Sequence, residues 1–149
     1  YRIATDAELT VAACETLIHK LSNADVLSSP QRVREFLALK VANLPHEIFG
    51  VMYLDAHNRL ISYEEMFRGS ISQTMVYPRE VAKAALLQNC DGVILFHNHP
   101  GGTTSPSQAD IKLTRTIQEA LALIDVSVRD HIIIAAGGET LSFAEKALL

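Results

Sequence analysis

The sequence holds only two cysteines, Cys14 and Cys90, too far apart for a CxxC ligand pair and too few for a dense disulfide framework. Both are read as buried free thiols. It also lacks any block of like charges: 13 Lys and Arg stand against 17 Asp and Glu, for a formal net charge of -4. A free-standing nucleic-acid binder needs clustered basic residues for its phosphate contacts, so direct nucleic-acid binding is not expected. No apolar run approaches the roughly 20 residues of a membrane helix, and no charged-then-apolar leader opens the chain. The expectation is a soluble, cytoplasmic protein that makes no use of a membrane. The first residue is Tyr1 rather than methionine, which suggests a fragment with an unseen N-terminal neighbour.

What is present suffices for one domain, because 149 residues with 48% hydrophobic content can bury a sizeable core. Leu9, Ala13, Leu17 and Leu21 recur at helical spacing, and so do Val33, Phe36, Leu37 and Val41 after a Ser29-Pro30 helix start. An almost wholly apolar run at 48–54, the break Asp55-Ala56-His57-Asn58-Arg59 and a second run at 60–66 predict a hairpin in the middle of a sheet. A further strand is expected around 71–76. Pro78 then starts a helix carrying Val81, Ala85 and Leu86 inward. A short buried strand at 93–96 ends at His97 and gives way to a Gly-, Thr- and Pro-rich loop. Ser107 opens the next helix, with Leu113, Ile117, Ala120, Leu121 and Ile124 on one stripe. A strand at 126–136, a Gly137-Gly138 turn and a short strand near Leu141 follow. Helices before, between and after strands predict an α/β domain with a mixed β-sheet flanked by helices.

His97 and His99 lie two apart at a strand end, so in extended backbone both imidazoles project to one side and can converge on one ion. Asn98 between them should point away and hold backbone. Asp110, in the first turn of the helix opened by Ser107, can return its carboxylate to the strand end. Two histidines, one carboxylate and an open fourth position describe a catalytic metal site rather than a closed structural one; zinc suits it, and so do iron and manganese. Each half also has a plain structural explanation. A bare HxH arises by chance on half-exposed strands, and Ser107-x-x-Asp110 is a capping box.

Taken together, His97-Asn98-His99-Pro100-Gly101-Gly102-Thr103-Thr104-Ser105-Pro106-Ser107-Gln108-Ala109-Asp110 resembles the JAMM pattern HxHPxGxxxPSxxD. The resemblance is to RadC-like proteins of the JAB/MPN group, and it extends through Glu47-Ile48-Phe49, Leu54-Asp55, Phe67-Arg68-Gly69, Pro78-Arg79-Glu80 and Asp130-His131. It covers roughly residues 45 to 149, leaving 1–44 as an N-terminal helical segment packed on a RadC-like JAMM/MPN domain at 45–149. The family commonly has serine at Gly101 and threonine at Ser70; neither is a proposed ligand. The resemblance implies a JAMM/MPN fold of cytidine-deaminase-like architecture and a Zn2+ ion on His97, His99 and Asp110. It implies a glutamate base, best matched by Glu47 at the ExxG start of a strand, with Glu64 and Glu65 as rivals. Ser107 takes the role of oxyanion donor, alongside its role as a cap.

The resemblance further implies a zinc metallohydrolase acting on a peptide or isopeptide bond. The alternatives are a non-catalytic MPN scaffold and a DNA-repair-associated partner protein. A zinc deaminase of related fold would need a Cys-x-x-Cys pair and an HxE motif, and the sequence has neither. Of the remaining histidines, His19, His46 and His57 are expected at the surface, and His131 beneath the site, against a ligand.

Overall fold

The computed structural model describes residues 2–69 and 76–149. The chain runs α1 (Asp6–Asn23), a short 3-10 turn (Val26–Ser28), α2 (Pro30–Val41), β1 (Ile48–Leu54), β2 (Leu60–Arg68), α3 (Pro78–Gln88), β3 (Gly92–His99), α4 (Gln108–Ala122), β4 (Ser127–Ala135) and β5 (Thr140–Ser142). The expected strand at 71–76 falls almost wholly outside the described residues.

The strands form one sheet in the order β2-β1-β3-β4-β5. All neighbours are antiparallel except β3 and β4, which are parallel. A parallel pair cannot be joined by a tight turn, so the chain crosses over through α4. The sheet is therefore mixed, as the alternation of helices and strands predicted. Among the described residues the hairpin of β1 and β2 sits differently from expectation: β1 is interior, while β2 stands at the end of the strand order. All seven residues of β1 are buried, whereas on β2 only Leu60 is, because an interior strand is covered on both faces and both sides.

Two apolar layers sandwich the sheet. On one face, Val33, Phe36, Leu37 and Val41 of α2 and Leu21 of α1 pack with Ile48, Met52, Ile94, Phe96, Ile132 and Ile134. On the other, Val81 and Ala85 of α3 and Ile117 and Leu121 of α4 pack with Phe49, Val51, Tyr53, Val93 and Leu95. Burial of a side chain of this size contributes roughly 1.5–3 kcal/mol, so the two layers fix the strands that carry the site. Two positions of the helical stripes face solvent instead: Leu9 is 57% exposed and Leu86 60% exposed. Both cysteines are free and buried, as expected. Among the described residues, no helix is long and apolar enough to cross a membrane.

Candidate metal centre

β3 does not end at His97. Its ladder with β4 continues through His97↔Ile133 to His99↔Ala135, so both histidines are held by backbone pairing rather than by a loop. Alternation then sends His97 and His99 to the α3/α4 face, with Val93 and Leu95, and Asn98 to the α1/α2 face. Asp110 approaches from the first turn of α4, immediately after the loop. Its backbone position is set by a complete capping box: Ser107 Oγ accepts from Asp110 N (3.0 Å), and Asp110 Oδ2 accepts from Ser107 N (2.8 Å).

The three side chains converge. His97 Nε2 lies 2.9 Å from His99 Nε2, Asp110 Oδ1 lies 3.5 Å from His97 Nε2, and Asp110 Oδ2 lies 3.6 Å from His99 Nε2. Tetrahedral zinc with bonds of 2.0–2.1 Å spaces its ligand atoms by about 3.3 Å, and these separations bracket that edge. Among the described residues, His97, His99 and Asp110 are the group that can hold a metal ion. His99 Nδ1 donates to the carbonyl of Thr103 (2.7 Å), which leaves its Nε2 lone pair facing the cluster. The donor set, its spacing and this orientation all fit zinc.

The electrostatics agree. Burial pushes the fully buried His97 imidazole below its ordinary pKa, which favours the neutral form a metal needs. Burial alone would raise the Asp110 carboxyl, but contacts with His97 and His99 outweigh it and hold Asp110 well below the usual carboxylate range. Asp110 also raises the pKa of His99, so a proton occupies that imidazole more readily than it occupies His97.

Glu47 stands just before β1, half-buried, and its charge raises the pKa of both His97 and His99. Its placement follows from register. Phe49 pairs with His97 and stacks on it with ring centroids 6.3 Å apart, so Glu47, two residues earlier, lies towards the same end of the sheet. The segment is tied down from two sides. Gly69 N donates to Glu47 O (2.9 Å), and Asn98 accepts from Ile48 N through Oδ1 (2.7 Å) while its Nδ2 donates to His46 O (3.0 Å) and Val41 O (3.3 Å). Gly50 is demanded by packing, since a Cβ there would run into the Phe96 ring and sit 2.7 Å from the Glu64 carbonyl oxygen. The rivals lie elsewhere: Glu64 and Glu65 are exposed on β2, and Glu64 accepts from Tyr53 Oη (2.8 Å).

A model of the RadC-like JAB domain matches residues 27–148. The chain belongs to the RadC-like JAB family. Its curated relatives include a UPF0758 protein of Aromatoleum aromaticum, 52% identical over 137 residues, covering 92% of this chain and 61% of that protein. A UPF0758 protein of Dechloromonas aromatica is 51% identical over 133 residues, covering 89% and 59%. One of Methylibium petroleiphilum is 48% identical over 137 residues, covering 92% and 61%. The chain thus spans about three-fifths of the length of these relatives. The family match begins ahead of residue 45 and takes in α2.

In this RadC-like domain the other histidines divide. His19 and His57 are exposed, while His46 is half-buried, and its carbonyl serves Asn98. His131 is fully buried, with Nε2 2.7 Å from His97 Nδ1 and Nδ1 2.6 Å from Thr114 Oγ1. Sequence reasoning missed Thr114 and Phe143, whose ring stacks on His131 at 4.5 Å. Thr114 carried a signal, since it lies one helical turn beyond Asp110 and shares its face. Phe143 carried none. Its contact depends on Asp130, which accepts from Ser142 Oγ (2.6 Å) and Ala144 N (3.0 Å) and so folds that segment onto β4.

Proposed function

We propose that this domain is a zinc-dependent hydrolase that cleaves an amide bond, in a peptide or an isopeptide link. The observation that carries the proposal is the convergence of three electron-pair donors, two of them buried, with a half-buried carboxylate acting electrostatically on both histidines. Zinc held by His97, His99 and Asp110 would supply Lewis acidity, polarising the scissile carbonyl and acidifying a water. Glu47 is the general base: it takes the proton of the attacking water and returns it to the leaving amine. Ser107 donates to the oxyanion as the carbonyl is attacked. Its capping bond does not forbid this. Accepting from Asp110 N uses an oxygen lone pair, and the hydroxyl proton stays free to donate. Substrate and partners are then protein chains rather than nucleic acid, in keeping with the acidic balance of the sequence.

The test is zinc content of protein prepared without chelator, followed by turnover of peptide, isopeptide and nucleic-acid panels with a chelated control. About one zinc per chain and chelator-sensitive amide cleavage are expected. Metal-free protein, or turnover of DNA alone, would overturn the proposal.

A further inference from the structure

The ligand set leaves unexplained a second buried polar chain behind it. Thr114 and His131 are 1% and 0% exposed, and neither belongs to the group of side chains that can hold the ion. The direction of their hydrogen bonds can be worked out from one fixed end. The carbonyl of Asp110 can only accept, so Thr114 Oγ1, 2.7 Å away, donates its single proton there. The 2.6 Å contact between Thr114 Oγ1 and His131 Nδ1 must then use the imidazole's proton, so Nδ1 of His131 is the donor. His131 lies between Phe49, whose ring meets it edge-on at 5.7 Å, and Phe143, stacked at 4.5 Å. Enclosed in that way it is a neutral ring with one proton, already committed to Thr114. Its Nε2 is therefore an acceptor, and the 2.7 Å contact to His97 Nδ1 requires the proton on His97. With Nδ1 protonated, His97 Nε2 presents a bare lone pair towards His99 and Asp110.

We infer that Thr114 and His131 are positioning residues that fix the tautomer of His97, through a one-directional relay whose far end is the backbone carbonyl of the third ligand, Asp110. This rests on reading His97, His99 and Asp110 as metal ligands. The same helix therefore supplies the Asp110 carboxylate and, one turn later, the hydroxyl that orients the histidine opposite it. His99 needs only the Thr103 carbonyl for the same purpose, because it stands at the strand end where a loop carbonyl can reach it. His97 is buried among side chains, and its chain of hydrogen bonds reaches a backbone acceptor only through two of them.

The experiment compares Thr114→Val, which keeps the shape and deletes the hydroxyl, with Thr114→Ser, which restores it. Two readouts are taken: the 15N shifts of the His97 ring in metal-free protein, and zinc affinity by competition with a calibrated chelator. In the wild type and Thr114→Ser the His97 shifts should show a protonated Nδ1 and a bare Nε2. In Thr114→Val that pattern should be lost and zinc affinity should fall about 10- to 100-fold, the usual cost of losing a group that orients a ligand. An unchanged His97 pattern in Thr114→Val, or zinc affinity equal to that of Thr114→Ser, would overturn the inference. Should Thr114→Val not fold, His131→Phe and His131→Gln pose the same question, since Gln can accept from His97 and donate to Thr114 while Phe can do neither. His99→Ala separates this from the metal reading: zinc uptake indifferent to His99 would sink that reading, while the metal-free shifts still decide the relay.

Discussion

The two faces of β3 use the same strand for opposite ends. One face presents His97 and His99 to a partly open cluster completed from α4, and His99 is the member of that cluster most open to solvent. The other face presents Asn98, 1% exposed, whose amide closes three backbone bonds around the junction of α2 and β1. Strand alternation thus separates chemistry from support within three residues. A polar residue between two candidate ligands can therefore carry a structural role of its own. Asn98 holds His46 and Ile48, and Glu47 lies between them.

That contrast breaks first at the ligands. Replacing His99 or Asp110 with Ala should abolish zinc uptake and amide turnover, with a folded chain remaining, because the apolar layers on both faces are untouched. Zinc content by mass spectrometry and a circular dichroism spectrum check both halves. Uptake by the wild type should weaken as pH falls, because Asp110 raises the pKa of His99 and protons then compete with the metal for that nitrogen. Affinity that is flat from neutral to mildly acidic pH would count against His99 as a ligand.

Glu47→Gln is the next largest effect. A base must reach the attacking water without holding the metal, so the variant should keep zinc and its thermal midpoint while losing about 10²- to 10⁴-fold in turnover. Glu64→Gln and Glu65→Gln should change little, being exposed on β2. Full activity in Glu47→Gln with loss in either β2 variant would move the base to that strand.

Much of this was legible in the sequence, and what was not has identifiable physical causes. The HxH spacing and the capping box are local, and the structure brings their residues together as spacing alone suggested. The end of β3 was not legible, because Asn98 and His99 are extended by pairing with β4, at Ile134 and Ala135 far downstream in the chain. The place of β2 at the end of the described strand order was hidden for the same reason: an interior and an outer hairpin share one pattern until the other strands are placed. Leu9 and Leu86 fit a helical stripe yet face solvent, since periodicity locates a face but not the width of the layer that covers it. His131 is expected beneath the site, but its route to Asp110 runs through Thr114, and no spacing rule links a strand residue to a helix residue 17 positions earlier.

Asn98→Ala sharpens the other side of the comparison. It leaves the Ile48 amide and the His46 carbonyl without the Asn98 partner, while the Val41 carbonyl keeps Leu44 N at 3.3 Å, and a buried unpaired group costs about 1–3 kcal/mol. The thermal midpoint should fall by several degrees, roughly 2–4 °C per kcal/mol for a chain of this size. Zinc per folded chain should hold, because Asn98 faces away from the ion. Loss of zinc equal to that in His99→Ala would mean that the two faces are not separable.

The smallest effect concerns Ser107, where one hydroxyl is asked to serve both the fold and the reaction. Ser107→Ala removes the acceptor for Asp110 N and should cost about 1 kcal/mol as a lost N-cap. It also removes the donor proposed for the oxyanion, so a fall in turnover there cannot by itself be assigned to either role. Ser107→Asp separates them. Aspartate caps as well as serine and favours the positive end of the helix dipole, but an ionised carboxylate has no proton to donate. The expected outcome is a thermal midpoint close to the wild type with zinc retained and turnover still depressed, by about 10²-fold if Ser107 acts as other oxyanion donors do. Recovery of both stability and turnover in Ser107→Asp would reduce Ser107 to a cap that positions Asp110, and the oxyanion would then need another donor.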